Sequence, residues 1–140
     1  MKNIIRITHQ VNKSYSQLCQ KVMQKYNITR CELDILLFLY NNPDLNTAKD
    51  IVEKRGIIKS QASMGIDQLI QKNYVKTIRD VKDKRKYHLY LLDDAQAIIN
   101  DGLRIQQVFA YKMFKNISQE NMTIFNMVLK QIYQNLKEEE

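Results

Sequence analysis

The sequence predicts a mainly α-helical fold with one small β-hairpin, its compact middle flanked by long amphipathic helices. Three observations carry that reading. Only 3 Gly and 1 Pro punctuate 140 residues, which favours helices over many short strands. Apolar residues recur at three- and four-residue steps through most of the chain. Period-2 alternation is confined to residues 74–91, on either side of a charged run.

The bulk properties fit one globular domain. A chain of 140 residues with 44% hydrophobic and 26% charged residues is neither disordered nor membrane-like. A chain of this size buries roughly two-thirds of its unfolded surface, enough for its own core. No apolar run approaches the ~20 residues of a membrane span. Met1–Gln10 lacks the apolar core and small-residue site of a secretory signal. The 2 cysteines are too few for a disulfide framework, so a reducing cytoplasm is the expected location.

Residues 3–25 read as a helix, because Ile4, Ile7, Val11, Tyr15, Leu18 and Val22 form a stripe at helical spacing. Asn27 suits its end. Thr29 and Glu32 form a capping box that opens a second helix through Leu39/Tyr40, with Leu33, Leu36, Leu37 and Tyr40 on its apolar side. Asn41–Asp44, with Pro43, stops it. Thr47 caps a short helix with Asp50 at N3, and Gly56 stands where a left-handed C′ residue belongs.

The next helix starts near Lys59/Ser60, with Ala62, Ile66, Leu69 and Ile70 on its apolar face. The hairpin follows: Tyr74–Arg79, the run Asp80–Lys86, then Tyr87–Leu91. In that second strand Tyr87, Leu89 and Leu91 share one face, and His88 and Tyr90 the other. Asp93 and Gln96 suggest another capping box, opening a helix that runs to about Lys115. Gly102 lies inside it at a cost of ~1 kcal/mol relative to Ala, which marks a bend or a close contact. Ser118 caps the last helix, whose stripe is Met122, Phe125, Val128/Leu129, Ile132 and Leu136. Glu138–Glu140 is an acidic tail expected to fray.

Two short helices around a tight turn, then a hairpin, make a winged helix-turn-helix over residues 30–92. Residues 1–28 and 93–140 are left with long apolar stripes, and one chain offers few partners for them. A two-fold homodimer through these end helices is the expected solution. Charge points to the partner of the middle. Between Lys49 and Lys86 stand eleven Lys/Arg and five Asp/Glu, so this segment holds +6 of the chain's +7. A surplus focused on a helix–hairpin unit is a footprint for a polyanion, here double-stranded DNA.

The residues then resemble the MarR family of winged helix-turn-helix regulators, from the first helix to the last. Lys59-Ser60-Gln61-Ala62-Ser63 and Asp67-Gln68-Leu69 match the family's recognition helix. Asp80-Val81-Lys82-Asp83-Lys84-Arg85 matches its wing motif, with Lys82 in place of the first arginine. Met64 stands where a basic residue is common, and Gly65 follows it. Leu92–Gln96 corresponds to the opening of the long helix, with Asp93 for threonine and Gln96 for glycine. The resemblance implies a dimeric transcriptional regulator, by default a repressor, on a pseudo-palindromic operator. It also implies that a small amphipathic effector can release the DNA, or that a cysteine senses oxidants.

Roles follow for individual residues. Ser60, Gln61 and Ser63 are candidates for base or phosphate hydrogen bonds; N-capping is their alternative. Gln61 matches adenine best by geometry. Lys59 and Lys72 are assigned to phosphate, as are Lys82, Lys84 and Lys86. Arg85 is the candidate for a minor groove. Asp83 orients Arg85 or closes the turn. Tyr15, Tyr40 and Phe109 are candidate effector-pocket residues, with core packing as the alternative. Cys31, near a helix N-terminus beside Arg30, is the candidate redox cysteine through a lowered thiol pKa; Cys19 is the second, expected half-buried. Otherwise each is a small buried hydrophobe.

His9 and His88 look isolated and make no metal spacing with Cys31. No metal, no cofactor and no membrane partner is expected. Nor is an enzyme, since no Ser/His/Asp set, paired carboxylates or Gly-rich phosphate loop is present. A winged helix used for protein–protein contact is the remaining alternative.

Overall fold

A computed structural model describes residues 1–137. The elements run α1 (Lys2–Tyr26), α2 (Arg30–Asn41), α3 (Ala48–Asp50), α4 (Lys59–Gln71), β1 (Val75–Arg79), β2 (Tyr87–Leu91), α5 (Gln96–Phe114) and α6 (Gln119–Lys137). The mainly α fold with one hairpin is as the sequence reads. The acidic tail at 138–140 lies outside the described residues.

The chain divides into two units, Met1–Phe109 and from Ala110 on. The core belongs to the first. α2 is its axis: Leu33, Ile35, Leu36, Leu37, Phe38 and Leu39 are all buried, so this helix is covered nearly all round. Cys19 and Val22 of α1, Ala62, Ile66 and Leu69 of α4, Val75 and Leu89 of the hairpin, and Ile98 and Ile99 of α5 join it in one cluster. The N-terminal half of α1 leaves Ile4, Ile5 and Ile7 exposed.

Several local signals work as the sequence suggests. Asn27 ends α1 in the left-handed region. Thr29 accepts from Glu32 N, and Thr47 forms a full capping box with Asp50. Gly56 takes φ +76° after a π-helical turn at Ile51–Arg55, a widening that apolar periodicity does not announce. β1 and β2 are antiparallel, with Val75 opposite Leu91 and Arg79 opposite Tyr87.

Other expectations fail for physical reasons. The Asp93/Gln96 capping box does not form. A 3-10 turn at Asp93–Ala95 starts from Leu92 without a side-chain cap. Gln96 reaches forward instead, donating to Asn100 Oδ1 at 2.8 Å. Ile70 lies at the edge of the apolar face of α4 and is exposed, as is Tyr40 at the end of α2. Cys19 is fully buried rather than half-buried.

Gly102 is a close contact. A Cβ built there would stand 2.8 Å from Leu37 Cδ2 and 3.1 Å from Leu37 Cδ1, so α5 approaches α2 only because the side chain is missing. Gly65 plays the same part between α4 and α2, with Ile35 Cδ1 at 2.9 Å and Cys31 Sγ at 3.1 Å from such a Cβ. In the second unit, Ser118 Oγ accepts from Asn121 N at 3.2 Å and caps α6. Phe114 and Phe125 meet edge to face at 5.9 Å. Of the α6 stripe, Phe125, Val128, Leu129, Ile132 and Leu136 are exposed and Met122 is half-buried.

Candidate nucleic-acid interface

The outer face of α4 is the polar edge of a helix whose other side is locked into the core. Ala62, Gly65, Ile66 and Leu69 are buried, while Lys59, Ser60, Gln61, Ser63, Met64, Asp67 and Gln68 are exposed. Gly65 lets α4 sit tight on α2, which fixes where the exposed side chains project. Ile58 is the N-cap residue, so Ser60, Gln61 and Ser63 do not spend their side chains on capping. Met64 lies on the same outward face, one turn after Ser60.

The wing tip is held by its own carboxylates. Asp80 Oδ1 accepts from Lys82 N at 2.9 Å and from Asp83 N at 2.8 Å. Asp83 Oδ1 accepts from Arg85 N at 3.0 Å and, more loosely, from Arg85 Nε at 3.5 Å. Asp83 therefore both closes the turn and leans on Arg85, whose side chain stays 93% exposed. Arg79 Nε donates to Lys84 O at 2.6 Å. Lys82, Lys84, Arg85 and Lys86 are all exposed on this framework.

The tip is tied back to the start of α3 through a histidine that looks isolated in the sequence. His88 Nε2 lies 2.7 Å from Asp80 Oδ2, and its Nδ1 lies 2.7 Å from Asn46 Oδ1. Asn46 directly precedes the N-cap of α3, and its backbone oxygen accepts from Leu89 N at 2.8 Å. The Asp83 amide, then the His88 ring and the Lys82 amide, hold the Asp80 carboxyl well below the usual carboxylate range. A cleft runs beside this tie, lined by Lys49 and Asp50 of α3, Asp67 and Ile70 of α4, and Arg85 and Lys86 of the wing. The two reading elements thus border one depression.

Lys72 is placed differently from its assignment to phosphate. Its Nζ donates to Glu32 Oε2 at 2.8 Å and to Asn27 O at 3.0 Å, closing the C-terminal end of α4 onto the start of α2. Glu32 is 1% exposed, so this cation is engaged in neutralising a buried carboxylate. Spacing along the chain does not reveal a pair formed across 40 residues.

The effector-pocket candidates divide. Tyr15 and Phe109 pack together with ring centroids 5.2 Å apart, and the Arg30 guanidinium lies 4.5 Å over the Tyr15 ring. Burial, with the nearby Cys19 second, raises the Tyr15 pKa. Tyr40 is 45% exposed at the other end of α2, about 15 Å along the axis from Arg30 at 1.5 Å per residue. Tyr40 thus stands apart from the Tyr15–Phe109 pair.

Both thiols sit where burial opposes the thiolate. Burial, then Asp34 and Glu32, push the Cys31 thiol up, against the lowering expected from its helix position; Arg55 opposes them. Arg30 does not compensate, because Asp34 holds its Nε at 3.0 Å and Ser16 its Nη1 at 2.8 Å. Burial also raises Cys19. Cys31 Sγ donates to Gln61 O at 3.4 Å, so the sulfur packs under the recognition helix. Among the described residues, no group of three or more His, Cys, Asp or Glu could hold a metal ion. No described helix is long and apolar enough to cross a membrane.

Comparisons with known proteins agree with this geometry. Residues 26–86 match a model of the MarR family. An uncharacterized HTH-type transcriptional regulator, YsmB, of Bacillus subtilis (strain 168) is 24% identical over 118 residues, spanning 84% of this chain and 80% of that protein. A Listeria monocytogenes protein assigned to the same family, solved with 26mer DNA, superposes with a TM-score of 0.85 at 14% identity, over 99% of this chain and 92% of that one. BpsR of Bordetella bronchiseptica, studied for regulation of its DNA binding by 6-hydroxynicotinic acid, superposes with a TM-score of 0.73 at 14% identity, over 94% and 98%. Family match, helix order and wing converge: residues 26–86 match the MarR family, and the described chain has the winged helix-turn-helix fold of solved MarR-family proteins.

Proposed function

We propose that the chain represses transcription as a homodimer that binds a pseudo-palindromic operator in double-stranded DNA. Residues 30–92 form the DNA-binding lobe, and residues 1–28 with 93–140 form the dimerisation region. α4 enters the major groove, where Ser60, Gln61 and Ser63 meet base edges and phosphates. Lys59 with Lys82, Lys84 and Lys86 contacts phosphates, and Arg85 enters a minor groove.

The observation that carries this reading is the shared border of two uncovered surfaces. Asp67 and Ile70 of α4 and Arg85 and Lys86 of the wing line one cleft in the same unit, and Ser60, Gln61 and Ser63 are exposed on α4 outside it. The dimer rests on apolar faces that a single chain leaves open: Ile4, Ile5 and Ile7 on α1, and Phe125, Val128, Leu129 and Ile132 on α6. A second copy is the partner that covers such faces symmetrically. Release by a small effector belongs to the same reading, supported by the ligand named for the Bordetella relative.

Selection of bound duplexes from random DNA by the purified protein tests the function. A recovered inverted repeat, bound with an affinity that falls steeply with salt, supports it. Recovery of no common sequence refutes operator recognition.

A further inference from the structure

We propose that His88 is a positioning residue for the wing, holding the cationic tip in register with the helix-turn-helix through Asp80 on one side and Asn46 on the other. The inference rests on the DNA-binding reading above.

The wing needs such a device. A two-stranded hairpin is marginal by itself, and residues 81–87 are all exposed, so apolar packing does not fix the tip. Polar ties do. The amides of Lys82 and Asp83 hang on one oxygen of Asp80, and Arg85 N hangs on Asp83. Arg79 Nε and the Asp80–Lys86 backbone bond hold the tip to its own strands, and a link beyond the hairpin runs from the second oxygen of Asp80 through His88, whose Nε2 lies at 2.7 Å. The ring is only partly buried, yet its other nitrogen reaches Asn46, which is 8% exposed and set by the α3 N-terminus. Asn46 also takes the Leu89 amide on its backbone oxygen, so one residue grips β2 twice.

With Asp80 ionised, Nε2 donates to it. The Nδ1 link works in either sense, donating to Asn46 Oδ1 or accepting from the amide turned over. Either way the imidazole spans two elements that a shorter side chain would not bridge. A tip fixed before contact spares the ordering entropy that a loose loop loses on binding. His88 does this without touching DNA.

The experiment compares His88→Phe, which keeps a ring of similar size without its nitrogens, with wild type and with Arg85→Ala. His88→Gln keeps a donor near the Nε2 position and stands in if the Phe variant does not fold. In the DNA-free protein, backbone amide exchange at Lys82 and Asp83 should accelerate in His88→Phe while exchange in α2 is unchanged. On a duplex at fixed salt, affinity should fall about tenfold, within the range of losing one wing contact. Arg85→Ala should add little in the His88→Phe background, because the contact it removes is already misplaced.

Unchanged exchange at Lys82 and Asp83 overturns the inference. So do additive losses for His88→Phe and Arg85→Ala, which mean independent roles. Absence of duplex binding by the wild-type chain overturns the DNA reading and the wing's role with it, while the exchange rates still report whether the latch exists.

Discussion

Lys72 Nζ lies 2.8 Å from Glu32 Oε2 and joins the end of the recognition helix to the beginning of the core helix. The Glu32 side chain is 2% exposed and that of Lys72 29%, so the carboxylate has little water to fall back on. Removing one partner of a fully buried pair costs ~3–5 kcal/mol, and the partial exposure of Lys72 places this pair below that. Lys72→Ala should lower stability by about 2–3 kcal/mol in a urea titration. The slope of log affinity for DNA against log salt should not change. A slope reduced by about one would return Lys72 to the phosphate contacts.

Gly65 is required by packing. An alanine there gains up to ~1 kcal/mol of helix propensity. Its Cβ meets Ile35 Cδ1 and Cys31 Sγ inside a packed core, where overpacking costs ~1–3 kcal/mol. The second effect wins, and Gly65→Ala should be destabilising by about 1 kcal/mol in thermal unfolding. An unchanged or raised melting temperature would show that α4 shifts freely on α2.

Base reading and phosphate contact separate by their signatures. Arg85→Ala should weaken operator binding by roughly 1–3 kcal/mol, and Gln61→Ala should relax base preference at one position of each half-site. Lys84→Ala should weaken all duplexes alike and lower the salt slope by about one. Mobility-shift titrations on matched and single-substituted duplexes measure all three. A Gln61→Ala variant with undiminished base preference would move the reading role elsewhere on α4.

The thiol of Cys31 should be slow. Its raised pKa means that the thiolate is scarcer than in a free cysteine at every pH below that value. Alkylation by iodoacetamide at neutral pH should lag a model thiol, and its pH profile should inflect above the ordinary ~8.5. Reaction faster than a free thiol at neutral pH would restore Cys31 as a redox candidate.

Much of the fold is legible in the sequence because it is written locally. The Thr29 and Thr47 caps, the left-handed Asn27 and Gly56, and the charged hairpin tip each involve residues a few positions apart. The missed features are long-range. Glu32–Lys72, Arg55–Asp34 and Asn46–His88 join residues 21 to 42 positions apart, and no periodicity marks them. The Asp93/Gln96 box was legible and wrong: the helix opens with a 3-10 turn, and the Gln96 side chain bonds Asn100 instead. Exposure of α4's polar face followed from its apolar spacing, whereas the tie between the wing and α3 did not. One signal was available, an aspartate opening a turn with a histidine eight residues on, across the hairpin.

Sedimentation of the purified chain, alone and with a short operator duplex at low ionic strength, tests the central claim most directly. Two chains without DNA, and two chains on one duplex with it, are the masses expected. A single chain at working concentration, or a duplex that sediments unbound at low salt, would contradict the account.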